Sequence, residues 1–224
     1  ISACLVGSEM CIRDSLKGMP LVTAGSGVAI GLPGNFGVAS SNEAARLPAA
    51  QGLQAIVSGS CSVATNQQVM DFIKAGQPAL AIDPLRIAAG VDVAAEALAW
   101  AEGHLGKGPV LVYSTAEPSA VRAIQGKLGS EKAGAMVEDT IAAIARGLVQ
   151  RGVRQLIVAG GETSGACVQA LGITQMRIGA QIDPGVPWCH AVAPDAKDGL
   201  HITLKSGNFG STDFFTKAFA QLLA

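Results

Sequence analysis

At 224 residues, 49% of them hydrophobic, the chain is long enough to bury a substantial core as one large domain or two small ones. A net charge of −1 leaves no electrostatic footprint for nucleic acid or an anionic membrane. No run approaches the roughly 20 consecutive apolar residues that span a bilayer. Five cysteines without CxxC or Cys/His metal spacing read as the reduced thiols of a soluble, cytoplasmic protein.

Residues 1–15 have no helical or strand period and lack the basic n-region of a signal peptide. They read as a non-native leader, closer to translated vector than to protein, and residues 16–224 read as the functional part. Leu21-Val22-Thr23-Ala24 is a short strand candidate followed by Gly25, Gly27 and Gly31. That GxGxxxG spacing misses the dinucleotide fingerprint by one residue, and no acidic residue ends a second strand about 20 residues on. An NAD-dependent dehydrogenase is therefore a minor reading.

A regular alternation follows. Residues 54–57 read as a strand, 63–74 as a helix, 79–82 as a strand, 91–104 as a helix and 110–113 as a strand. The helix at 132–151 carries Val137, Ile141, Ile144 and Leu148 at the helical period. It feeds an apolar strand at 156–159, which Gly160 and Gly161 break before a second helix. Beyond Leu171, residues 176–182, 186–192 and 200–204 read as strands, and 212–223 as a terminal helix. The expected fold is α/β: a mostly parallel sheet with helices on both faces, plus a strand-rich C-terminal part.

In such a sheet, ligands sit outside the carboxyl ends of the strands. Four ends carry hydroxyl or glycine clusters: Ser58-Gly59-Ser60, Ser114-Thr115, Gly160 to Gly165, and Lys205-Ser206-Gly207. The Gly160–Gly165 stretch (Gly160, Gly161, Glu162, Thr163, Ser164, Gly165) runs from strand through glycine turn into a helix N-terminus. Close approach, free N–H groups and the helix dipole there suit a phosphate, and an ordinary capped connection is the alternative. Lys205 would add a point charge, and Glu162 would orient Mg²⁺ or a ribose, or equally be a solvated first-turn carboxylate. No GxxxxGK[ST] pattern, GxSxG elbow or metal-ligand spacing around His104, His190 or His201 is present.

Three ordered stretches, GGETSGACVQALGI (160–173), IGAQIDPGVPW (178–188) and LKSGNFGSTDFF (204–215), resemble the C-terminal nucleotide-binding domain of the four-carbon acid sugar kinases, and within them the 3-oxo-tetronate kinases. VSGSCSVATNQQV (57–69) and TAGSGVAIGLPGNF (23–36) fit the same family in order. The resemblance implies ATP, with Mg²⁺, phosphorylating a 3-oxo-tetronate to its 4-phosphate. It assigns ATP contacts to a serine of the first motif (Ser60, or else Ser58), to the Gly160–Gly165 loop and to Gly207. Members also carry a preceding domain with a DDxTGA-like acidic motif that receives the sugar acid, and no such motif occurs here. The chain therefore reads as the ATP-binding half, inactive alone. Its expected partners are ATP, a small sugar acid, the substrate domain and, in a homo-oligomer, further copies. The catalytic residues are unassigned. The competing reading is a nucleotide-binding module that performs no chemistry.

Overall fold

The sheet is organised by strands whose successive apolar residues go to opposite faces. β1 (Leu53–Ser58) sends Ala55 and Val57 to one core and Ile56 to the other. The computed structural model describes residues 15–23, 28–29, 31–39, 41, 43, 45–115 and 129–223. It divides into two units, Ile1–Glu43 and Ala44–Ala224.

In the first unit the described residues include a 3-10 helix, Pro33–Phe36, closed by Gly37 in the left-handed region at φ 66°. The strand expected at residues 21–24 is not formed among the described residues. Leu21 is 80% exposed, Leu21–Thr23 are irregular, and Ala24, Gly25 and Gly27 lie outside the described residues. A dinucleotide fold needs a buried strand ahead of its glycines, so the glycine spacing at 25–31 lacks its structural support. Of the leader expected at 1–15, residues 1–14 also lie outside the described residues.

The second unit continues with α1 (Val63–Lys74), β2 (Ala79–Ala81), α2 (Pro84–Ala88), α3 (Val93–Glu102) and β3 (Val110–Tyr113). Then come α4 (Ser130–Gln150), β4 (Val153–Ala159), α5 (Gly161–Ala170), β5 (Met176–Asp183), β6 (Val186–Ala193), β7 (Ala196–Lys205) and α6 (Phe214–Leu223). Side-chain caps start three of the helices. Ser62 accepts from the Thr65 N–H, Asp83 from Leu85 and Asp92 from Ala95, satisfying orphan donors of each first turn. The sequence reading joined 91–104 into one helix and left α2 out. A five-residue helix started by an Asp-Pro pair carries no measurable period.

The seven strands lie in the order β2-β3-β1-β4-β7-β6-β5. β2, β3, β1, β4 and β7 are parallel, and β6 and β5 extend the sheet antiparallel from β7. This is the expected mostly parallel α/β sheet with its strand-rich end. α3, α4 and α5 cover one face, with Ala97, Ile141, Ile144, Leu148 and Cys167 in the core. α1 and α6 cover the other through Phe72, Phe214, Phe215 and Phe219. Among the described residues no helix is long and apolar enough to cross a membrane.

Candidate functional site

Because five adjacent strands run the same way, their carboxyl ends emerge along one edge. The register aligns the last residues: Ser58 pairs with both Tyr113 and Ala159, and Ala159 pairs with Lys205. Each chain then makes one more ladder bond. Gly59 N–H donates to the Ala159 carbonyl (3.0 Å), Ser114 to Ser58 (2.9 Å) and Gly160 to Lys205 (2.8 Å). The four hydroxyl and glycine clusters of the sequence thus sit side by side on the strands β3, β1, β4 and β7.

Over this edge opens a cavity of about 680 Å³, walled by residues that follow β1, β2, β3 and β4 and by one side of α4. Ser60, Gly160, Gly161, Glu162 and Thr163 reach it. Gly160 has φ 127°, a conformation that favours glycine. A Cβ there would lie 2.7 Å from Thr163 Oγ1 and 3.3 Å from Ser60 N. Gly59 likewise has no room for a Cβ, because Thr163 Oγ1 fills that space. The Thr163 side chain thus packs closely against both glycine turns. No described side chain caps α5, so its first N–H groups lack intrahelical partners at the cavity wall. Gly161 has open space where a Cβ would stand.

The remaining sequence candidates occupy other places. Ser58 is fully buried, its hydroxyl 2.7 Å from Thr115 Oγ1, so it ties β1 to the end of β3. Ser164 turns back to donate to the Gly160 carbonyl at 2.6 Å. Gly165 is exposed one turn into the helix, off the cavity wall.

Lys205 is also fully buried. Its ammonium donates to Thr65 Oγ1 (2.9 Å) and to the carbonyls of Ser206 (3.1 Å), Gly207 (3.1 Å) and Phe209 (3.2 Å). It holds the loop after β7 against α1 and offers no point charge to the cavity. Burial pulls its pKa down to about 8. Gly207 does not line the cavity but backs it. A Cβ there would meet Ser60 Oγ at 2.6 Å and Ser62 Cβ at 3.1 Å, and its carbonyl accepts from Ser62 Oγ (2.5 Å) and Thr65 Oγ1 (2.8 Å). A side chain at Gly207 would therefore displace the Ser60 turn.

Sequence reasoning missed the α4 contribution. Glu138 reaches the cavity beside Glu162. Burial first, then the hydrogen bond and charge of Glu162, and then the charge of Asp139, push the Glu138 carboxyl above its ordinary value. The available signal was its place next to Val137 in the α4 apolar stripe, which fixes Glu138 on a flank of the core-facing side. Ala81, Ile82, Asp83, Pro84 and Tyr113 were read only as strand ends. Cys61 lies half-buried on the wall, whereas burial pushes the Cys167 thiol to about 12. Among the described residues no cluster of three or more His, Cys, Asp or Glu side chains is placed to hold a metal ion.

Comparison with known proteins shows the family. Residues 55–215 match the family described as the nucleotide-binding C-terminal domain. The chain is 52% identical over 215 residues to a 3-oxo-tetronate kinase of Cupriavidus necator, covering 94% of this chain and 49% of that protein. It is 51% identical over 215 residues to the protein of the same name from Burkholderia multivorans, again covering 94% and 49%. The chain thus spans about half the length of the curated relatives it matches. A crystal structure of a Haemophilus influenzae protein of the DUF1537 family superposes with a TM-score of 0.81 at 34% identity, over 96% of this chain and 52% of that one. The chain belongs to the family of nucleotide-binding C-terminal domains.

Proposed function

We propose that this chain is the ATP-binding part of a kinase that phosphorylates a four-carbon sugar acid, a 3-oxo-tetronate, to its 4-phosphate. The observation that carries the reading is the uncapped α5 N-terminus, opening with Ser60 and Gly161 into a cavity at the strand ends. Free amide N–H groups, the helix dipole and a turn without side chains favour phosphate oxygens. The names borne by the half-identical relatives supply the acceptor.

Phosphoryl transfer depends on holding the acceptor hydroxyl in line with the γ-phosphate and on stabilising spread negative charge. In this reading the α5 amides and Ser60 hold the triphosphate, and Thr163 packs against both glycine turns beside it. Glu138 and Glu162 fit Mg²⁺. Their carboxyls crowd each other at the cavity, and Mg²⁺ is commonly held by one or two carboxylates together with substrate phosphates. When bound it would neutralise charge on the transferring group. The alternative of a binding module without chemistry shares this site and differs only in lacking turnover.

The test is a fusion of residues 16–224 to the part of the Cupriavidus relative that this chain does not cover. ATP-dependent phosphorylation of a 3-oxo-tetronate is expected from the fusion and not from the 224-residue chain. A folded fusion that binds ATP but transfers no phosphate leaves only the binding module. The site itself can be followed through Cys61. Saturating ATP is expected to slow its alkylation about tenfold or more, since only the nucleotide-free fraction would react. Peptide-resolved mass spectrometry reads this directly, and an unchanged Cys61 rate would place the nucleotide elsewhere.

A further inference from the structure

The cavity is longer than a phosphate requires, and its two ends differ in chemistry. β1 and β3 lie between β4 and β2 in the sheet, so three inter-strand spacings, about 14 Å, separate the α5 N-terminus from the end of β2. That is comparable to the reach of an extended nucleoside triphosphate. The β4 end offers amide N–H groups and the Ser60 hydroxyl, with the Glu138 and Glu162 carboxyls assigned above to Mg²⁺ beside them. The β2 end is walled by Ala81, Ile82, Pro84 and Tyr113, and Val137 of α4 also lines the cavity. The Ile82 N–H is already spent on the Tyr113 carbonyl at 2.8 Å. Among the described residues the charge at this end is the Asp83 carboxylate, which also holds the first turn of α2.

This lining is wrong for a sugar acid. Hydroxyls buried against apolar side chains lose water without gaining partners. A heteroaromatic base has the opposite needs: apolar faces to bury and an amino edge that a carboxylate can accept from. Resting on the nucleotide reading above, we propose that the cavity is polarised. The triphosphate lies at the α5 N-terminus, and the base packs against Ala81, Ile82, Pro84, Tyr113 and Val137. The β2 end then sets base selectivity, and the sugar acid must approach from the β4 end, where the γ-phosphate is presented.

Calorimetric titration of the 224-residue chain with ATP and with inorganic tripolyphosphate separates the two ends. The wild type is expected to bind ATP at least about tenfold more tightly than tripolyphosphate. Ala81 is exposed at the end of an edge strand, so Ala81→Trp fills the base end without disturbing the core. It should weaken ATP about tenfold or more and leave tripolyphosphate within about twofold. Tyr113→Leu keeps apolar bulk and removes the ring, and should weaken ATP severalfold with tripolyphosphate unchanged; thermal melts report folding of both variants. Wild-type ATP binding no tighter than tripolyphosphate, or equal loss of both ligands in Ala81→Trp, overturns the base assignment while the triphosphate site stands. Wild-type binding of neither ligand overturns the nucleotide reading itself.

Discussion

Gly161→Val is expected to fold with near wild-type stability and to lose at least about tenfold in ATP affinity, about 1.4 kcal/mol. Gly161 is the first residue of α5 and is absent from the positive-φ glycines. A β-branched residue fits that backbone, and nothing stands within 4 Å of the added Cβ. The valine methyls therefore project into open space beside the free N–H groups and hold a phosphate oxygen away from them. Gly160 provides the contrast. At φ 127°, with Thr163 Oγ1 2.7 Å from an added Cβ, Gly160→Ala strains the backbone and pushes Thr163 away, so it should lower the melting temperature as well as ATP affinity. Unchanged ATP affinity in a folded Gly161→Val protein, measured by calorimetry, would make the α5 turn structural.

Lys205→Ala is expected to destabilise the fold by about 3–5 kcal/mol, the range for truncating a large buried side chain that also satisfies polar groups. The ammonium links Thr65 of α1 to three carbonyls of the loop after β7, and that loop backs the Ser60 turn through Gly207. The pH dependence carries a definite sign. Burial lowers the folded pKa from 10.5 to about 8, so between those values the unfolded chain binds more protons than the folded one. Wild-type stability therefore gains from Lys205 as pH rises through this window, and the deficit of Lys205→Ala widens there. Denaturant unfolding at pH 7 and pH 9.5 checks both statements. A variant with wild-type stability and selectively lost ATP affinity would restore Lys205 to the phosphate site.

These two residues also mark how far the sequence could be read. Glycine turns and hydroxyls after apolar runs are local signals, and the runs themselves dictate a parallel sheet. Their convergence on one edge therefore followed from the alternation of strands and helices. Gly160, Gly161 and Ser60 were legible for that reason. The strand order was not, because nothing local tells β7 to pair with β4 and carry β6 and β5 outward.

The direction of a side chain was equally hidden. Lys205 follows an apolar strand and precedes a glycine, which reads as a phosphate-binding position, yet register puts it in line with Ala159 and buries its amine under α1. Ser58 ends the strand and is buried, whereas Ser60 lies past it on the cavity wall, a distinction that two serines one residue apart do not reveal. Glu138 and the Ala81–Tyr113 end of the cavity come from elements distant in sequence. The packing of α4 across the strand ends brings Glu138 to Glu162, and the strand order sets β2 and β3 at the other end of the cavity.

A crystal structure of the chain with a non-hydrolysable ATP analogue tests the central claim most directly. The account predicts triphosphate oxygens within hydrogen-bonding distance of the Gly161, Glu162 and Thr163 amides and of Ser60. A triphosphate bound elsewhere, such as along the Val63–Lys74 face of α1, with those amides facing solvent, would contradict it.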